Sequence, residues 1–219
     1  MNTSTETRDA GGGLVALCGV AFVVLTVVGI VALGGDTPGN DDPAAKIASF
    51  YNAHQNREFA AAFLVAAATP LLAIFAAGLA LALWPLQSGH RRIWPILLIG
   101  GALLSAGSFI LGAFVHFALA DGGDKLTAAT LQGLNVLDAD SWIAFNSSLG
   151  LLMLGAGASL LVSSKGYRIM GWIGLLLGVV LFVPFADFPA LLLTGIWLIV
   201  TSIMFYRRVP GAALAPQPA

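Results

Sequence analysis

Of 219 residues, 58% are hydrophobic and only 10% are charged, where a soluble domain carries about 25% charged residues. With a mean hydropathy of +0.90, that deficit excludes an ordinary soluble domain and points to the lipid bilayer as solvent. The net charge of −1 supplies no basic field for nucleic acid, and the single cysteine, Cys18, has no partner for an intrachain disulfide.

In chain order, residues 1–13 are polar, small and Gly-rich, a composition that predicts disorder. Residues 14–33 form a 20-residue apolar run after Arg8. Ala32-Leu33-Gly34 resembles a small-x-small cleavage site, but signal h-regions run only about 7–15 residues, so the run reads as an uncleaved first span. After a turn-rich stretch at 34–42, Asp42-Pro43 has the pattern of an N-cap followed by proline at the first helical position. Ile47, Phe50, Tyr51 and His54 recur at helical spacing, which predicts a short amphipathic helix that lies at the membrane surface or caps the bundle and leads into the next span. The second span is 60–84, with Thr69-Pro70 at mid-depth as a kink site, and a short basic loop at 85–92 follows.

Residues 93–119 run 27 residues without an acidic or basic side chain and span roughly 40 Å as a helix. Gly101, Ser105, Ser108 and Gly112 fall on one narrow face that His116 continues, so this third span is expected to pack closely on a neighbour. The second long connection, 120–141, places Thr127, Leu131, Leu134 and Asp138 on one face of a possible surface helix, which Gly133 weakens. The fourth span, 142–162, carries Asn146, Gly150 and Gly157 on one face. After a tight basic loop the fifth, 169–186, holds Gly174-x-x-x-Gly178. Asp187-Phe188-Pro189 is expected to cap the sixth, 188–206, which ends at Arg207-Arg208. The Pro/Ala-rich tail 207–219 is expected to be disordered. Trp84, Trp94, Trp142, Tyr167 and Tyr206 sit at span ends, as an interfacial belt requires.

The chain is therefore expected to be an all-α polytopic membrane protein of six transmembrane helices with a short amphipathic outer helix. Placing both termini in the cytoplasm puts Arg8, Arg91, Arg92, Lys165, Arg168, Arg207 and Arg208 inside and leaves Lys46, Arg57 and Lys125 outside. That 7-to-3 split follows the positive-inside rule and predicts a multi-pass protein of the plasma membrane.

None of the six spans, so bounded, contains Asp, Glu, Lys or Arg, which counts against an ion-coupled transporter with a midplane site. No phosphate-binding loop, dinucleotide fingerprint, zinc-protease pair or serine-nucleophile elbow occurs, and no cofactor is implied. What remains is a coincidence of depth, because His54, His116, Asp138, Asp140, Asn146 and Asp187 all fall near the outer end. Of these, His54, His116, Asp140 and Asp187 are candidate metal ligands. Each also has a structural reading: Asp140 and Asp187 as N-caps, His54 as an amphipathic boundary residue, and His116 hydrogen-bonded to Asn146. The structural reading is favoured, with no catalytic residue assigned.

The Ile47-x-x-Phe50-Tyr51-x-x-His54 segment after the first span, in a six-span chain of this length, resembles multi-pass membrane proteins of unknown function common in actinobacteria. The resemblance implies the fold and supplies no site. The leading functional expectation is a non-catalytic bundle that scaffolds, senses or binds a small-molecule or lipid ligand through its outer face. The alternatives are a carrier for a neutral or lipidic small molecule and a metal-dependent membrane hydrolase using His54 and His116.

Overall fold

The computed structural model describes residues 10–208, and among these the chain is helical with no strand. Helix α1 (Ala10–Val27) continues into a π-helical turn, Val28–Leu33, and is followed by α2 (Ala44–Leu83), α3 (Ile93–Gly122), α4 (Ala128–Asp140), α5 (Trp142–Leu160), α6 (Lys165–Val180) and α7 (Asp187–Arg208). The expected disorder at 1–13 and 207–219 falls largely outside the described residues. Within them it is corrected, since residues 10–13 open α1 and residues 207 and 208 close α7.

Six helices form a closed ring in the order α1, α2, α3, α5, α6, α7 and back to α1. Each runs antiparallel to the next. Phe145 of α5 packs over Gly112 of α3 while Leu152 packs over Gly101, and Phe182 and Leu175, beside α6 and within it, pack over Gly150 and Gly157 of α5. Tyr206 lies over Gly13, so α7 ends at the end of the bundle where α1 begins. The ring is filled by one apolar core that includes Phe22, Leu72, Phe75, Leu98, Leu152 and Trp197. Leu103, Leu104, Leu111 and Phe114 of α3 are exposed on the opposite side, as expected of a lipid-facing surface.

Among the described residues, five helical segments are long and apolar enough to cross a membrane: Gly12–Leu33, Ala44–Leu86, Gly89–Gly122, Ala128–Leu160 and Asp187–Arg207. The expected fifth span, 169–186, differs. Helix α6 starts earlier and ends at Val180; its 16 residues cover about 24 Å, less than a ~30 Å hydrocarbon core. Pro184 lacks an N–H and disfavours helix in the residue before it, and Phe185 takes φ +70°, so the chain turns before α7. Helix α6 still lies between α5 and α7, and the Trp197 Nε1–H donates to the Met170 carbonyl at 2.8 Å.

Close approach is set by glycine. A Cβ at Gly101 would collide with the Leu152 backbone, and one at Gly155 with the backbone of Leu97 and Leu98, so α3 and α5 touch main chain to main chain. Gly174 and Gly178 of α6 approach Gly157 and Leu154 of α5 in the same way. The small-residue face of α3 thus packs on α5 as expected. Ala113, one position further round, is also buried, because α2 covers the other flank of α3. Tyr167 is fully buried rather than interfacial, whereas Trp84, Trp142 and Tyr206 are exposed at helix ends.

Gly101→Leu is expected to lower stability by about 1–3 kcal/mol through overpacking against backbone that cannot give way. Gly107→Leu, where a Cβ meets nothing within 4 Å, is expected to be neutral. Thermal unfolding of both variants in detergent checks the assignment, and equal midpoints would refute it.

Candidate functional site

Helix α2 runs unbroken for 40 residues, about 60 Å, twice the thickness of a hydrocarbon core. The amphipathic segment and the second span are therefore one helix, not two. Nothing in Gln55-Asn56-Arg57-Glu58-Phe59-Ala60 interrupts it, since the stretch holds neither glycine nor proline. Asp42 does not cap it; its carboxylate instead accepts from the Gly39 N–H at 2.9 Å and pairs with Lys46 at 2.8 Å. That exposed pairing, with the Gly39 bond, holds the Asp42 carboxyl below its ordinary range.

The first turns of α2 and helix α4 form a cap over one end of the ring, with its own core of Ile47, Tyr51, Leu119, Ala120 and Leu131. Helix α4 is capped by Thr127, whose side chain accepts from the Thr130 N–H, and runs through Gly133. Tyr51 Oη donates to Asn135 Oδ1 at 3.4 Å, and Asn135 Nδ2 donates to the carbonyls of Pro38 and Gly39. Gln55 Nε2 donates to the Ala120 carbonyl at 3.1 Å, tying α2 to the end of α3. The cap is thereby fixed to both long connections.

Beneath the cap lies the polar centre of the molecule. His116 of α3 places Nε2 2.9 Å from Glu58 Oε2 of α2 and Nδ1 2.9 Å from Asp138 Oδ2 of α4. Glu58 is fully buried, and its other oxygen, Oε1, accepts from Arg57 Nε at 2.8 Å. The Arg57 guanidinium also lies 3.8 Å from Asp36 and over the Phe50 ring. Two hydrogen bonds from one imidazole to two carboxyl groups require two protons. Either the ring is an imidazolium or one carboxyl is neutral, and the proton count is the same. Three helices are thus joined at one part-buried ring.

A cavity of about 180 Å³ opens below this ring, with His116, Asp138, Thr37 and Ser141 on its polar side and Ala61, Val65, Ala113 and Phe145 among its apolar walls. Gly29 and Gly34 of the π-helical segment and its flank complete it. Asp138 meets His116 through Oδ2, and among the described residues Oδ1 has no hydrogen-bond partner.

The candidate residues read from the sequence separate in the structure. His54 bonds its own helix through Nδ1 and the Phe50 carbonyl and stacks on the Phe50 ring at 4.6 Å. Asp140 is the exposed last residue of α4 and caps nothing; the position before α5 is Ser141. Asp187 is buried and accepts from the Phe188 N–H and from Asn146 Nδ2, both at 3.0 Å. His116 and Asn146, expected to pair, therefore belong to different clusters. They share a depth but face different helices. His54, His116, Asp140 and Asp187 do not make one ligand set, and among the described residues no three His, Cys, Asp or Glu side chains are arranged to hold a metal ion.

Glu58 lies outside the expected set, because a second span bounded by its lack of charge starts at residue 60, just past the acid. A signal was available. Ile47, Tyr51, Glu58, Ala62 and Val65 follow the heptad-like spacing of one helix face, which puts an acid at a core position. Comparison of the chain with protein-family models, with curated proteins and with solved structures returns no match.

Glu58→Leu and His116→Leu are each expected to cost about 1–3 kcal/mol, since each strands a buried polar partner. The double variant removes both ends of the bond and should cost less than the two single costs together by at least about 0.5 kcal/mol. Strict additivity in detergent unfolding would show that the pair is not energetically coupled.

Proposed function

We propose that this chain is a non-catalytic ligand-binding bundle of the plasma membrane, related to the actinobacterial multi-pass proteins that its 47–54 segment resembles. The cavity beneath the cap carries the reading, because it is apolar on most sides and ends on Asp138 and His116. A few convergent polar groups in an apolar recess are the usual form of a small-molecule site. The recess is smaller than the ~300–1,000 Å³ of drug-sized sites, so it takes a small group.

Charge defines that group. Around the polar end of the recess Glu58, Asp138 and Asp36 are three acidic side chains set against two basic ones, Arg57 and His116. Asp138, the one acid that lines the recess, favours a hydrogen-bond donor, an amine or a hydroxyl, over an anion. Saturating butylamine, at about 100 times its Kd, should stabilise the purified protein by about 2.7 kcal/mol. Butyrate should give no stabilisation, and Ala113→Phe, which fills the recess, should abolish the amine effect. Indifference of the wild type to butylamine and butanol alike would refute the reading.

The 7-to-3 distribution of basic residues supports an orientation with the cap outward and both termini cytoplasmic. In a Cys18→Ala background, an impermeant thiol reagent applied to intact cells should modify Asn40→Cys and leave Ser88→Cys untouched. The reverse pattern would invert the topology.

A further inference from the structure

A second, larger cavity of about 370 Å³ lies against the first. It is a cleft between α1 and α7, floored by α3 and α5, and its walls include Phe22, Val27, Leu191 and Ile199. Ile30, Phe109 and Phe145 line both cavities. The two aromatic rings stack at 4.7 Å, and with Ile30 they form the wall that the recess and the cleft share. Its polar lining is slight. Thr26 and Thr194 contribute hydroxyls that have no hydrogen-bond partner among the described residues, and Thr194 is only 1% exposed. Unpartnered buried hydroxyls are uncommon in native structures, and both of these residues line the cleft.

We propose that the two cavities form one site for a single-chain lipid with a hydrogen-bond-donating head, an amine or an alcohol. The head lies against Asp138 and His116, and the chain lies in the α1/α7 cleft. This rests on the reading above that the recess accepts a donor group. Three features select this occupant. The recess and cleft adjoin, so a ligand that fills both is polar at one end and apolar along the rest. The cleft covers α7 from Phe188 to Ile199, about 16 Å along the helix, a length suited to an alkyl chain. The acid excess beside the recess disfavours a carboxylate or phosphate head, which would meet Asp138 with like charge.

The test uses the full chain in phosphatidylcholine nanodiscs, with hexadecylamine and hexadecanoic acid carrying the same mid-chain diazirine. Photocrosslinking followed by peptide mapping should place amine adducts on residues 22–27 and 191–199, about tenfold above the acid. Asp138→Asn should bring the two probes towards equal labelling. Gly195→Leu puts a side chain into the cleft alone, because a Cβ there meets only Val23 at 3.5 Å. It should cut amine labelling about tenfold while leaving butylamine stabilisation intact. Ile196→Trp, at a residue 58% exposed that also lines only the cleft, provides the same block should the first variant fold poorly. Equal labelling by amine and acid in the wild type overturns the head assignment. Labelling unchanged in both cleft variants, with butylamine still stabilising, overturns the chain assignment and leaves the small-ligand reading standing. Failure of both amines removes both.

Discussion

Helices in hydrocarbon gain little by burying apolar faces against one another, because lipid tails are as apolar as leucine. The bundle depends instead on how closely its backbones can approach. Gly101 and Gly155 remove side chains where α3 crosses α5, and Gly157, Gly174 and Gly178 do the same where α5 meets α6. These seams put main-chain atoms in direct contact and multiply dispersion contacts that are individually small. The lipid face, by contrast, carries ordinary large residues such as Leu103, Leu111 and Phe114. Helix α5 takes part in both seams, so the ring is organised around it.

At the capped end the constraint changes from packing to polarity. Glu58 is fully buried in an otherwise apolar setting, and a carboxyl there is tolerable only if its oxygens are engaged. Arg57 and His116 engage them, and His116 in turn needs Asp138. Satisfying one buried group therefore draws in α2, α3 and α4. That chain of requirements fixes α4 against the ring, although α4 is only 13 residues long and has a modest core. Asp138 also lines the recess, so the group that completes the structural network is part of the site as well.

Much of this was legible in the chain because it depends on spacing. The small-residue face of α3, the Gly174/Gly178 pair and the α5 face bearing Gly150 and Gly157 are helical repeats, and their packing follows from the helical period. The polar centre was less legible for two physical reasons. A span is recognised by the absence of charge, so a buried acid at its edge, such as Glu58, marks the boundary and falls outside it. Depth along a helix can be counted at 1.5 Å per residue, but the direction a side chain takes towards one neighbour or another cannot. His116 and Asn146 share a depth, yet one meets Glu58 and Asp138 while the other meets Asp187. The break of α6 near Pro184 was visible as a proline, but whether a helix bends through it or stops depends on the tertiary setting.

The π-helical turn at Val28–Leu33 connects these two levels. A π turn carries one residue more per bond than an α turn, which widens the helix and shifts its side chains around the axis. It ends where the Gly34 N–H bonds the Gly29 carbonyl at 3.1 Å, and Gly29 lies against Val65 of α2 at a distance that a side chain would spoil. Contact at Gly29 holds one side of the turn against α2. Ile30, the next residue, then lines both the polar recess and the apolar cleft. Short π segments persist in proteins chiefly where function offsets their weaker geometry. Here the segment is stationed at the junction of two cavities, in the helix that forms one wall of each. The junction of the two cavities is thus lined by a backbone irregularity, flanked by Gly29 and Gly34, that apolar periodicity does not record.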